Sequence, residues 1–283
     1  MQYVTSKKRQ EKLGNIAVYA ILLLGAFIIM LPVAWMFSTA LKDSGSVFLF
    51  PPDWIPNPVR WDNFGKAIAA IPFWQFLQNT LTITLFAVIG QVCSAALVGF
   101  GFARLDFPGR NILFLLVLST MMLPGIVTTV PVFMMFKSLG WINTFLPLIV
   151  PSYFGGRAYY IFVMRQFFMS TPLELDEAAR IDGCGTFKIF LHILVPLAKP
   201  ALLTVGILNF MNHWSDFMGP LIYLNDTAKY TLSLGLNLFR GMYQTDWNLL
   251  MAATILVMIP SVILFFLAQK QFVQGIVVSG VKG

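Results

Sequence analysis

The sequence predicts an all-α, polytopic membrane protein with six transmembrane helices, and three observations carry that prediction. Of 283 residues, 58% are hydrophobic and 11% charged, with a mean hydropathy of +0.76. A chain so poor in charge cannot cover one or two soluble domains with a solvated surface, so the bilayer is its solvent. Apolar runs of the ~20 residues that a helix needs to cross a hydrocarbon core of ~30 Å, uncharged but for Arg157 in the fourth and Asp216 in the fifth, recur six times along the chain. The formal charge of +7 and the pI near 9.5 come from lysines and arginines that flank those runs. These residues do not gather with aromatics on a soluble face, which excludes nucleic acid as a partner.

The runs cover about residues 16–37, 80–102, 111–136, 147–164, 201–224 and 249–268 of a single transmembrane domain, 1–283. The first follows a basic segment, KKRQEK, as a signal peptide would. Its apolar part is too long for one and the chain behind it keeps crossing, so an uncleaved anchor is expected. Pro32, Pro124, Pro131 and Pro260 stand inside runs. Each removes a backbone hydrogen bond that neighbours must make good, which predicts kinked, packed helices. Cys93 and Cys184 fit neither a metal spacing nor a structural disulfide and read as small packing residues.

An even number of spans puts both termini on one side. That side collects Lys7, Lys8, Arg9, Lys12, Arg104, Arg110, Arg165, Arg180, Lys188, Lys199, Lys270 and Lys282, whereas Lys42, Arg60, Lys66, Lys137, Lys229 and Arg240 fall on the other and Arg157 inside a run. The richer side is expected to be the cytoplasm. The connection 38–72, with its FPPDWIPNP segment, then lies outside, its prolines favouring an ordered, extended path.

Between the fourth and fifth runs stands a loop of different grammar, 170–199, containing ELDEAARIDGCGTFKIFLHILVP. Thr171, Pro172 and Glu174 read as N-cap, first helical position and capping-box partner, so a helix is expected from about Pro172. Glu174, Asp176 and Glu177 suit the positive end of its dipole, and Gly183 is placed to end it in a left-handed conformation. Ala178 and Ala179 leave one flank thin, open to another protein's backbone. Phe187, Phe190, Leu191 and Leu194 then follow helical spacing, with Lys188 and His192 elsewhere, as in a helix lying on the membrane or against the bundle.

Glu177, Ala178, Ala179, Gly183, Ile193 and Pro196 match the pattern Glu-Ala-Ala, three residues, Gly, nine residues, Ile-x-Leu-Pro, with Val195 in place of leucine. In this the chain resembles the permease subunits of binding-protein-dependent ABC importers. The runs PPDWIPNPVRWDNF, FVMRQFFMSTPLELDEAARIDG, WSDFMGPLIYL and QKQFVQGIVVSGVKG extend the likeness over most of the chain. They are similar to the carbohydrate subgroup, in particular the second, smaller permease of maltose-type transporters. The resemblance implies a type I ABC importer permease fold in the bacterial cytoplasmic (inner) membrane and a role in ATP-driven import of a carbohydrate, an oligosaccharide. It implies as partners a second permease subunit, two ATPase subunits and an extracytoplasmic sugar-binding protein. It further implies that Glu174, Glu177, Ala178, Ala179, Gly183, Ile193 and Pro196 couple this chain to the ATPase.

The chain has no GxxxxGK[ST] loop; GFGFARLDFPG has the glycines without the lysine. It is therefore expected to be no enzyme and to hold no cofactor or metal, ATP and magnesium being bound by the partner ATPase. An ion-coupled secondary sugar carrier, the competing function, and a membrane-embedded enzyme would show more ionisable or catalytic groups within the runs than Arg157 and Asp216. Asn209, Asn212, His213 and Asp216 fall at i, i+3, i+4 and i+7 and form one polar stripe in the fifth run. With Arg157 they are the candidate sugar path, Trp214 or Tyr223 offering an apolar face. The competing reading has the stripe join helices to one another or to a second permease.

Overall fold

Apolar backbone in a lipid solvent must satisfy its polar groups within its own segment, and the chain does so almost entirely as helix. The computed structural model describes the backbone of residues 2–241 and 245–280 and the side chains of 14–16, 18–241 and 245–269. Among the described residues there is no strand, only an isolated antiparallel bridge between Arg240 and Thr245. The expectations placed on Lys7, Lys8, Arg9, Lys12, Lys270 and Lys282 lie outside the described side chains.

The chain divides into two units, residues 1–71 with 238–256, and residues 72–237 with 257–283. The first contains α1 (Gln2–Ala40), with Pro32 inside it, and α2 (Asp62–Ala70). Leu22, Leu23, Phe27 and Ile29 of α1 are all more than half exposed, as expected of a helix whose solvent is lipid. The connection after α1 is tied down by two asparagines. Asn63 Nδ2 donates to the carbonyls of Ala40 and Lys42, both at 2.8 Å, and Asn248 Nδ2 donates to Lys42 at 3.2 Å. The extended path expected for 38–72 is thus only part of the story. Residues 62–70 carry no proline and fold as α2, with Asp62 and Lys66 paired at 2.7 Å.

Lys42 is 1% exposed in this unit, its ammonium 4.1 Å from the centroid of the Trp35 ring and without a hydrogen-bond acceptor. Burial pushes its pKa below the ordinary lysine value of 10.5, against the pull of Asp53. A depressed base releases its proton earlier in the folded than in the unfolded state, so between the two pKa values the unfolded chain holds more protons and stability rises with pH. Thermal unfolding followed from neutral pH to the ordinary lysine value is expected to show that rise, and Lys42→Met to abolish it. An identical slope in the variant would assign the pH dependence elsewhere.

The second unit is built on α3 (Phe73–Arg104), followed by α4 (Arg110–Ser119) and α5 (Gly125–Ser138). The expected third span is not continuous: its halves meet at 103°, because Leu123, extended as residues before proline tend to be, hands over to Pro124, which opens α5. The expected fourth span is broken too. After α6 (Leu146–Ile149) and a tight turn at Val150–Tyr153, Gly155 and Gly156 have positive φ, and α7 runs only from Ala158 to Ser170, about 20 Å at 1.5 Å per residue.

Next come α8 (Glu174–Ile181), α9 (Thr186–Ile189), a π-helical turn at Phe190–Leu194 and α10 (Val195–Leu197). They are followed by α11 (Lys199–Trp214), α12 (Met218–Tyr223), α13 (Leu232–Gly235) and α14 (Trp247–Gly280), the last reaching back into the first unit. The expected fifth span also stops, at Trp214. By length and composition three described helices can cross a bilayer, Gly14–Ala40, Phe73–Arg104 and Trp247–Gln269, or five if each of two bent pairs counts as one crossing. This is short of the six expected.

The core of the second unit lies where α3 meets α7. Ala95, Ala96 and Phe100 face Tyr160, Ile161, Met164 and Phe168, and the same cluster takes in Ala179, Ile189, Phe190, Leu194 and Val205. The loop 170–199 is therefore packed on the bundle. Cys184 is half-buried against this cluster, as a packing residue should be, whereas Cys93 is exposed on α3.

Candidate functional site: a fixed helix and a polar knot

Two groups of the expected residues come together, at different places in the second unit. At the first, α8 has an inward and an outward side. Asp176 and Ala179 are buried, while Glu174, Glu177, Ala178, Arg180 and Ile181 are exposed, Ile181 to 87%. The two alanines thus do not form one thin flank, since Ala179 enters the core and only Ala178 faces out. Asp176 Oδ2 lies 3.3 Å from Arg104 Nε at the end of α3, with both side chains below one-tenth exposure. Arg104 Nη2 also donates to the Thr171 carbonyl at 2.7 Å. These contacts fix α8 to the longest helix of the unit.

The ends of α8 only partly follow the expected grammar. Gly183, at φ +80, closes a Schellman turn, its N–H donating to Arg180 and that of Cys184 to Ala179 at 2.9 Å. The capping box does not form. Thr171 is spent on the preceding helix, its hydroxyl donating to the Phe167 carbonyl at 3.3 Å, and α8 starts at Glu174 without a side-chain cap. Beyond the turn the expected stripe is also displaced. Phe187 and Leu191 are 65% and 46% exposed, while Ile189, Phe190 and Leu194 are buried. A π turn at Phe190–Leu194 widens the helix ahead of Pro196, whose ring would meet the carbonyl four residues back, and spaces the buried Phe190 and Leu194 four residues apart. Ile193 is half-buried and Pro196 exposed.

At the second place Arg157 Nη1 donates to Asn212 Oδ1 at 2.9 Å, and Asn212 Nδ2 donates to the Tyr160 hydroxyl at 3.1 Å and to its own helix at Leu208. Arg157 is aimed by its backbone: its N–H donates to Gln91 Oε1 at 3.1 Å, and Gln91 Nε2 donates to the Gly155 carbonyl at 3.2 Å. Gln91 is 1% exposed in the middle of α3, and a Cβ on Gly156 would fall on its amide. Arg157 and Asn212 are themselves exposed. They form a polar knot with donors and an acceptor open to a ligand rich in hydroxyls.

The remaining members of the stripe differ in exposure, and only Asp216 leaves α11. Asn209 is 2% exposed, and its Oδ1 lacks a partner. His213 is half-buried. Asp216 lies past the end of α11, where its carboxylate accepts from the Gly219 N–H at 3.1 Å, and among the described residues it makes no ion pair with Arg157. Trp214 is buried and donates to the Val257 carbonyl at 2.9 Å, so it is a packing residue. Sequence reasoning missed Arg104, Asp176 and Gln91 as partners. Gln91 had a signal, a lone amide within an apolar run, which is costly without a purpose.

Residues 95–278 match the family described as the binding-protein-dependent transport system inner membrane component. The chain is 33% identical to a probable ABC transporter permease protein of Bacillus subtilis, YurM, over 98% of this chain and 91% of that protein. It is 34% identical to the arabinooligosaccharides transport system permease protein AraQ of Halalkalibacterium halodurans, over 87% and 86% of the two chains. Its fold is similar to that of a chain in a bacterial ABC transporter involved in the import of the acidic polysaccharide alginate, with a TM-score of 0.81, 21% identity, and coverage of 93% of this chain and 97% of that one.

Proposed function

Because the chain belongs to the family of binding-protein-dependent transport system inner membrane components, we propose that it is a permease subunit of an ATP-driven importer of a carbohydrate, an oligosaccharide. It forms half of a translocation pathway with a second permease subunit. An extracytoplasmic sugar-binding protein delivers the substrate, and two ATPase subunits bind ATP and magnesium and hydrolyse the nucleotide. Both termini lie in the cytoplasm of a bacterial cell, and the chain crosses its inner membrane six times. The broken third, fourth and fifth crossings are tolerable because backbone interruptions at membrane depth are stable where they are packed in protein or line a cavity. The names of the relatives, which include a permease for arabinooligosaccharides, support the substrate class.

The observation that carries the mechanism is the two-sidedness of α8. Its inner side is locked by Asp176 and Ala179, so a push on its outer side moves α3 with it instead of tilting a loose loop. Glu174, Glu177, Ala178 and Ile181 face outward for the ATPase; Gly183 sets the angle at which the chain leaves, and Ile193 and Pro196 carry the motion into α11. Nucleotide-driven closure of the ATPases would then be transmitted as a rigid-body movement. Arg157 and Asn212 line the sugar path, exchanging hydrogen bonds with hydroxyls, while Asn209, His213 and Asp216 support the helices around it.

The test uses the assembled transporter in proteoliposomes. Glu177→Lys and Gly183→Val are expected to lower sugar uptake at least tenfold while the complex still inserts, with ATP hydrolysis no longer following uptake. The valine acts through its Cβ at positive φ, where L residues are strained. Uptake at the wild-type rate in both variants would sink the coupling role.

A further inference from the structure

We propose that Arg110 and Arg165 form a binding site for the phosphate of an anionic phospholipid at the end of α3. The two residues come from different elements, α4 and α7, and meet at the α3–α4 connection. Arg110 Nη1 donates to the Leu105 carbonyl at 3.0 Å, and Arg165 Nε donates to the Phe102 carbonyl at 3.4 Å. The guanidinium of Arg165 lies over the Phe114 ring, 4.0 Å from its centroid; burial is the chief cause that disfavours its charge, and the neighbouring Arg110 adds to it. Two like charges are therefore held in one corner by backbone carbonyls and an aromatic face.

The described chain balances them only weakly. The nearest carboxylate to Arg110 is Asp106, at 4.0 Å with a fully exposed side chain, and Arg165 has no ion pair among the described residues. Arg104, the third arginine nearby, is already committed to Asp176. Arg110 Nε is buried without a partner, though the side chain as a whole stays one-third exposed. Two guanidinium groups held this near to one another attract an anion, and a planar fork suits phosphate oxygens.

The surroundings select a lipid over a free anion. Phe102 packs against Phe107 and against Phe114, the ring that carries Arg165, and α4 leads away from Arg110 with Ile112, Leu115 and Leu116 more than half exposed. A charged corner at the end of a 32-residue apolar helix, continued by a bare apolar flank, matches a headgroup and its acyl chains in register.

The experiment compares thermal unfolding of the assembled transporter in nanodiscs of phosphatidylcholine alone and with phosphatidylglycerol added. The wild type is expected to unfold at a higher temperature with phosphatidylglycerol, while inorganic phosphate in phosphatidylcholine discs produces no such rise. Arg110→Gln with Arg165→Gln is expected to lose the rise, whatever its own unfolding temperature in phosphatidylcholine, and the double lysine variant to keep part of it. A rise of the same size in the double glutamine variant, or none in the wild type, overturns the site. A rise of equal size with inorganic phosphate assigns it to a free anion and overturns the lipid. An acidic segment of the second permease as the true occupant would appear as dissociation of that subunit from the double glutamine variant in both kinds of disc.

Discussion

Asp176→Ala is expected to destabilise the second unit by about 3–5 kcal/mol, the cost of leaving a buried charge without its partner. Arg104 has nowhere to take its guanidinium, since its side chain is 3% exposed and its one hydrogen bond, to the Thr171 carbonyl, is neutral. The pair is not itself a strong source of stability, because neither Arg104 Nε nor Asp176 Oδ1 makes a hydrogen bond. Replacing both residues, Arg104→Met with Asp176→Leu, is therefore expected to recover most of the loss, as apolar exchanges of buried pairs often do. Measured by thermal unfolding of the assembled transporter, the double variant separates the pair from the space it fills; a loss equal to the sum of the single changes would show that the charges do not act together. Transport adds a second readout. If the ion pair is what makes α8 a lever, the recovered double variant regains the wild-type ratio of uptake to ATP hydrolysis, because packing replaces the electrostatic tie.

Gly156→Ala is the second change with a large expected effect, about 2–4 kcal/mol. The residue has φ +50, where an L side chain is strained, and its Cβ would land on the Gln91 amide that holds Arg157. The collision has a specific remedy. Gln91→Ala in the same chain removes the obstructing atoms, so the double variant is expected to be more stable than Gly156→Ala alone, although Gln91→Ala by itself destabilises. Arg157 loses its backbone anchor in all three, so each is expected to raise the sugar concentration for half-maximal uptake more than it lowers the maximal rate. A fall in maximal rate alone would remove Arg157 from the sugar path and leave Gln91 and Gly156 as packing partners.

Much of the segment 170–199, the proposed coupling region, was legible because it is written in local grammar. The acidic first turn of α8 and the left-handed glycine that ends it depend on residues within one or two turns of each other. The failures there were also local in origin. Thr171 has two helices within reach of its hydroxyl, and sequence spacing does not say which one it serves. In the stripe of 187–194 the buried face includes Ile189 in place of Phe187 and Leu191, and a π turn from Phe190 departs from the ordinary helical pitch that the spacing presumed. The polar stripe lost its last member for the complementary reason: its spacing presumed that α11 continues to Asp216, and the helix stops at Trp214. Arg157 and Asn212 remain together because they meet across helices and do not depend on that continuity.

By itself the sequence determined the solvent, the helical class and the family, since hydropathy, proline placement and a spaced signature are properties of neighbouring residues. Only the tertiary structure decided that runs of uniform hydropathy are broken at Pro124, Gly155–Gly156 and Ser215. It alone also showed that Asp176, outwardly one more acid on an acidic helix, is the residue that fastens it. The physical reason is that an apolar run states where a chain is comfortable, whereas the price of burying a charge or bending a helix depends on which group from a distant segment arrives beside it, here Arg104 for Asp176 and Gln91 for the glycine turn.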